Sequence, residues 1–242
     1  MKRLILAWSL ITVAVSGFAQ GAVTAEALVG AWQSGPDEKR IVWINTDHHF
    51  SAALYNVKEN AFLGTCGGSW KLEKDYWVGL YEFCTMDTSL VGQSERGLVR
   101  LSGSTMFYNS GHEDETWTRI DDGRPGSLAG AWLITGRERD GKIQESTPGV
   151  RRTMKILSGT RFQWIAYNIQ TREFFGTGGG TYTTAGGKYT EQIEFFSRDP
   201  TRVGASLTFD FSVTDGHWMH KGLSSKGEPI HERWTLREKL KM

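Results

Sequence analysis

Leu28-Val29-Gly30-Ala31-Trp32 returns one hundred residues later as Leu128-Ala129-Gly130-Ala131-Trp132. Past a loop of unequal length the offset settles at 112. Phe50 then meets Phe162, Tyr55-Asn56 meets Tyr167-Asn168, and Glu82-Phe83 meets Glu194-Phe195. Gly64-Thr65-Cys66-Gly67-Gly68-Ser69-Trp70 meets Gly176-Thr177-Gly178-Gly179-Gly180-Thr181-Tyr182, and Val91-Gly92 meets Val203-Gly204. Near the end, Glu115-Thr116-Trp117-Thr118 meets Glu232-Arg233-Trp234-Thr235. Matches in this order describe two tandem domains, residues 24–122 and 126–242, joined by the turn-rich Asp121-Asp122-Gly123-Arg124-Pro125-Gly126. The period is far longer than a solenoid unit, so each copy should hold its own core.

Alternation of apolar and polar residues gives the fold class. In the second copy Phe162, Trp164 and Ala166 oppose Arg161 and Gln163, while Tyr189, Glu191, Ile193 and Phe195 oppose Lys188, Thr190, Gln192 and Glu194. Leu207, Phe209, Phe211 and Val213 share one face, and Ile230, Glu232, Trp234 and Leu236 share another. Turn residues separate these runs at Ser158-Gly159, Ala185-Gly186-Gly187, Asp199-Pro200 and Asp215-Gly216. The expected fold is all-β: two small antiparallel up-and-down barrels, since closure leaves no sheet edge exposed. The glycines at 176–180 read as a sharply bent strand at a barrel corner. They are not a phosphate loop, because no Gly-Lys-Ser/Thr and no helix follow.

The opening Gly-Ala-Trp on a first strand, followed by a meander, resembles the lipocalin-like branch of the calycin barrels. Gly-Gly-Gly-Thr-Tyr at 178–182, Lys-Tyr-Thr-Glu at 188–191 and Glu-Arg-Trp at 232–234 resemble the lipocalin-like domains of bacterial secreted proteins. The resemblance implies that Trp32 and Trp132 each close one barrel end against a basic side chain of the last strand. Arg119 would serve Trp32, and Arg233 or Arg237 would serve Trp132.

Residues 1–19 read as a signal peptide: Lys2 and Arg3, an apolar run from Leu4 to Val15, then Gly17-Phe18-Ala19 at the cut. The run is shorter than the ~20 residues a bilayer span requires. The mature chain is therefore expected to be secreted or periplasmic, with no membrane span. Lys and Arg total 28 against 27 Asp and Glu, a balance that argues against a nucleic-acid partner. The two cysteines are too few for an all-cysteine zinc site. A hairpin turning at Asp75 places Cys66 and Cys84 directly opposite, close enough for a cross-strand disulfide in an oxidising compartment. The six histidines lack recognised metal spacing, so neither a metal nor a cofactor is expected.

Glu191 and Glu232 are the informative carboxylates, because each lies on the apolar side of its strand. A charge inside a small barrel must be paired, hydrogen-bonded or neutralised. Glu191 aligns with Gly79, Glu232 with Glu115, and His220 locally with Asn109. The expectation is an exported binding protein whose second barrel holds a small, partly apolar ligand among Trp164, Tyr189, Glu191, Phe209, Trp218, His220 and Glu232. Two alternatives stand beside it. One is an interaction module with filled barrels; the other is a hydrolase or isomerase using Glu191 with His220 or Glu232.

Overall fold

The computed structural model describes residues 22–111, 114–124 and 126–240. The signal peptide read at 1–19 and His112 lie outside these residues. In the first copy, β1 (Gly30–Ser34), β2 (Arg40–Asn45), β3 (His49–Asn56) and β4 (Ala61–Glu73) begin an antiparallel meander. It continues through β5 (Tyr76–Cys84), β6 (Ser94–Ser102), β7 (Thr105–Asn109) and β8 (Glu115–Asp121), which pairs back onto β1 and closes the barrel.

The second copy adds one strand. β9 (Gly130–Arg139) is long enough to fold back on itself through β10 (Lys142–Glu145). β11 (Arg151–Leu157), β12 (Arg161–Asn168), β13 (Phe174–Ala185) and β14 (Lys188–Phe196) follow. β15 (Ser206–Thr214), β16 (His217–Leu223) and β17 (Pro229–Leu236) complete the circuit, and β17 pairs with β9. Both barrels are therefore closed eight-stranded antiparallel sheets, with β10 as an extra hairpin arm on the second. Among the described residues no helix is long and apolar enough to cross a membrane.

Inward positions follow the two-residue strand period. In the first barrel they are filled by Trp32, Trp43, Phe50, Trp77, Tyr108 and Trp117. Trp43 is the hub, with Trp77 at 4.9 Å, Tyr108 at 5.4 Å and Trp117 at 5.1 Å, all edge to face. Each copy does have a core of its own, but a third apolar cluster is shared between them. Val42, Ile44, Ala53, Tyr55 and Phe83 of one copy pack on Met154, Ile156, Ile165, Tyr167 and Phe195 of the other. The outer faces of β2 to β5 and β11 to β14 are thus buried against one another.

This interface is reciprocal. Tyr55 donates to Glu194 at 2.9 Å, and its counterpart Tyr167 donates to Glu82, the counterpart of Glu194, at 2.6 Å. Tyr55 stacks on Phe195 at 5.0 Å, and Phe83 lies 4.8 Å from Tyr167. The Gln163 amide donates to Thr65 at 2.9 Å and to its counterpart Thr177 at 3.0 Å, straddling the pseudo-two-fold axis. Alternation assigns Gln163 to the face opposite Phe162 and Trp164; that face is covered by the first barrel, and Gln163 is buried.

Cys66 and Cys84 form a disulfide across β4 and β5. Their direct opposition depends on a bulge between Gly67 and Gly68, because the hairpin below it is centred between Lys74 and Asp75 rather than on Asp75. A matching bulge lies between Gly179 and Gly180. At Gly68 a Cβ would stand 2.0 Å from the Leu80 carbonyl, and at Gly180 the same distance from that of Gln192, so only glycine fits either bend.

Trp32 and Trp132 occupy equivalent sites, donating their indole N–H to the carbonyls of Leu28 and Leu128 at 3.0 and 2.9 Å. Arg119 caps Trp32, its guanidinium 4.0 Å from the ring centroid. Trp132 does not receive the corresponding arginine. Arg237 is drawn to Glu82 of the first barrel at 2.7 Å, Arg233 is drawn to Glu145, and Trp132 packs on Trp218 at 5.7 Å instead.

Candidate functional site: a polar cluster inside the second barrel

The second barrel has the same frame as the first but different inward residues. Lys155 on β11 stands where the first barrel has Trp43, Glu191 where it has Gly79, and Phe209 where it has Gly97. The β16 register places His220 opposite Phe211, as Tyr108 is placed opposite Val99. The counterpart of His220 is therefore Tyr108, not Asn109; the sequence alone misplaces it by one residue. Two large rings and two glycines are thus exchanged for an ammonium, an imidazole, a carboxylate and a phenyl ring.

Lys155 and Glu191 come from non-adjacent strands and meet across the interior, Nζ to Oε1 at 2.7 Å, with both side chains almost wholly buried. Tyr189 donates to the same Oε1 at 2.8 Å. The ammonium is also surrounded by aromatic rings: Tyr189 and Trp218 at 5.0 Å, Trp234 at 5.5 Å and Phe209 at 5.7 Å from their centroids. Ring faces are negative, so they offset part of the hydration the cation loses.

His220 is 1% exposed, and among the described residues neither ring nitrogen has a hydrogen-bond partner. Its Nδ1 stops 3.6 Å from Glu232 Oε2. Burial, with Lys155 next, lowers its pKa to about 4, so the ring is neutral at neutral pH and offers one donor and one acceptor. Glu232 accepts from the Trp234 indole at 3.1 Å, as Glu115 accepts from Trp117 at 3.2 Å in the first barrel. That bond belongs to the shared frame. Burial would raise the Glu232 carboxyl, but His220, Lys155 and Arg137 together hold it lowered.

A cavity of about 360 Å³ opens over this cluster. Its apolar wall includes Trp164, Ile193, Phe196, Leu207 and Phe209, and its polar wall Lys155, Glu191, His220 and Glu232. Of the seven residues expected around a ligand, Trp164, Glu191, Phe209, His220 and Glu232 line the cavity. Tyr189 and Trp218 are fully buried behind it, holding Glu191, Lys155 and His220 rather than facing the space. Lys155 escapes the sequence reading because Met154 and Ile156 mark the opposite face of β11 as the apolar one, and that face packs on the other barrel. The 112 offset, which pairs Lys155 with Trp43, is the signal that finds it. Arg137, Arg151 and Arg198 at the rim were likewise not anticipated.

The corresponding corner of the first barrel is lined differently. The disulfide takes the positions of Gly178 and Phe196, and Ala52 takes that of Trp164. Among the described residues no group of three His, Cys, Asp or Glu side chains is placed to hold a metal ion. No curated protein matches the chain. Residues 127–241, which contain the whole second barrel and its polar cluster, match a protein family described as a domain of unknown function (DUF4488).

Proposed function

We propose that the chain is an exported, lipocalin-like binding protein whose second barrel holds a small, partly apolar ligand, with the first barrel as a filled, disulfide-closed support. One observation carries the reading: a buried imidazole, with neither nitrogen hydrogen-bonded among the described residues, stands in the polar wall of a cavity whose opposite wall is rings and aliphatic side chains. Leaving such a group unsatisfied costs about 1–3 kcal/mol, a cost that a ligand's polar atom removes. A barrel selected only to be filled has the cheaper solution already present in the first copy, where Tyr108 donates to Glu95 at 2.5 Å. Export is supported by the leader-like residues 1–19 and by the cystine, which belongs to oxidising compartments.

Native mass spectrometry of chain purified from its exporting host is the direct test, with a bound small molecule expected. Glu191→Gln should fold and bind about 1–3 kcal/mol more weakly, because Lys155 is left without its counter-ion and shifts the polar wall. Unchanged affinity in folded Glu191→Gln would remove the carboxylate from the site.

A further inference from the structure

The twelve residues by which the second copy exceeds the first between their opening strands become the end of β9, β10 and the loop that follows. This arm does not help to close the barrel. Its strand β10 pairs with the far end of β9 and borders a second, polar cavity of about 450 Å³, lined by Arg137, Arg139, Gln144, Ser146, Arg151 and Arg152 among others. Arg137, Arg151 and Thr153 line this cavity and the barrel cavity alike, so the two spaces meet along a common wall.

Its charges are unevenly spent. Arg152 is held by Glu82 at 2.9 Å, Glu145 is taken by Arg233, and Arg137 approaches Glu232 at 3.4 Å. Among the described residues neither Arg139 nor Arg151 has a carboxylate partner, and Arg151 instead lies over the Phe175 ring at 4.4 Å. Arg198, at the rim of the barrel cavity, likewise bonds only the Phe175 carbonyl. Guanidinium groups in a concave, polar-lined space favour planar or tetrahedral oxyanions, which they bind through paired N–H donors.

We infer that the inserted arm forms an oxyanion subsite continuous with the barrel cavity, so that the ligand is an apolar body carrying a carboxylate or phosphate head. The inference rests on the binding role proposed for the second barrel and adds what the ligand must be. The apolar body lies against Trp164, Phe196 and Leu207, and the head is received by Arg139 and Arg151. The arm is then a specificity element, present only on the copy that binds.

Tryptophan fluorescence of the full chain, titrated with octyl phosphate, octanoate, octanol and inorganic phosphate, tests this. The two amphiphilic anions should bind about tenfold or more tightly than octanol, as expected for charge-assisted contacts. In the folded Arg139→Gln/Arg151→Gln variant that advantage should fall to about twofold or less, with octanol unchanged. Whichever anion loses more identifies the head. Equal affinity for the anions and octanol, or an advantage that survives the double substitution, overturns the subsite while leaving the barrel's binding role standing. Inorganic phosphate binding as tightly as octyl phosphate overturns the continuity of the two spaces. Failure of every probe, including octanol, overturns the inference together with the reading beneath it.

Discussion

The two barrels solve the problem of a small interior in opposite ways. The first fills it with rings around Trp43 and fastens β4 to β5 with a disulfide. The second keeps the same strands, bulges and indole caps, but places an ion pair and an unpartnered imidazole where the first has aromatic rings and a glycine. The frame tolerates this because closure and bending reside in backbone positions, the glycine bulges and the strand pairings, that do not depend on what points inward. Two copies of one fold thus divide into a ring-filled interior and a polar one.

The largest effect that tests this division is at Lys155. Lys155→Met leaves the Glu191 carboxylate buried without its cation and should cost about 3–5 kcal/mol, read by denaturant unfolding. Lys155→Trp/Glu191→Gly, which installs the residues of the first barrel, should recover most of that loss and abolish ligand binding. Failure of the double variant to recover would show that the two interiors are not interchangeable.

Reduction, or Cys66→Ala/Cys84→Ala, should cost about 3 kcal/mol for a bridge spanning 18 residues of sequence. The loss should fall on the first barrel, leaving ligand affinity unchanged in chain that remains folded. A parallel fall in affinity would mean that the support and the site are more tightly coupled than their separate cores indicate.

The smallest effect is in the pH dependence. His220 has a folded pKa of about 4 against the ordinary imidazole value of 6.5, so in that interval the unfolded chain binds a proton that the folded chain refuses. Stability should therefore fall as pH drops from 6.5 towards 4, by at most roughly 3 kcal/mol in all, and gain no further His220 penalty below. His220→Asn should flatten that interval. Glu82, held down to about 2 because Arg237, Tyr167 and Arg152 outweigh its burial, should loosen the inter-barrel contact only at lower pH. An unaltered profile in folded His220→Asn would show that the imidazole is already satisfied in solution.

Much of the architecture was legible in the chain, and some of the site. The repeat and the alternating faces carry the barrels, and the 66/84 register carries the disulfide, because strand periodicity is local. Glu191 and Glu232 were conspicuous as charges among apolar neighbours. Lys155 was not, because alternation tells two faces apart without telling which one is inside, and the inter-barrel contact makes the outer face of β11 the more apolar. Arg237 was diverted from Trp132 by Glu82, a partner in the other copy that no local pattern could supply.

The crossing of Tyr55 to Glu194 and of Tyr167 to Glu82 has an evolutionary consequence. A surface in which each half supplies what the other receives is that of a symmetric homodimer. A gene for one such barrel would have encoded a protein able to pair with itself, with two equal interiors. Duplication and fusion in one reading frame make that pairing obligatory and release the interiors from identity. Mutation could then fill one half and open the other, an asymmetry that a homodimer, whose halves are read from the same codons, can never acquire.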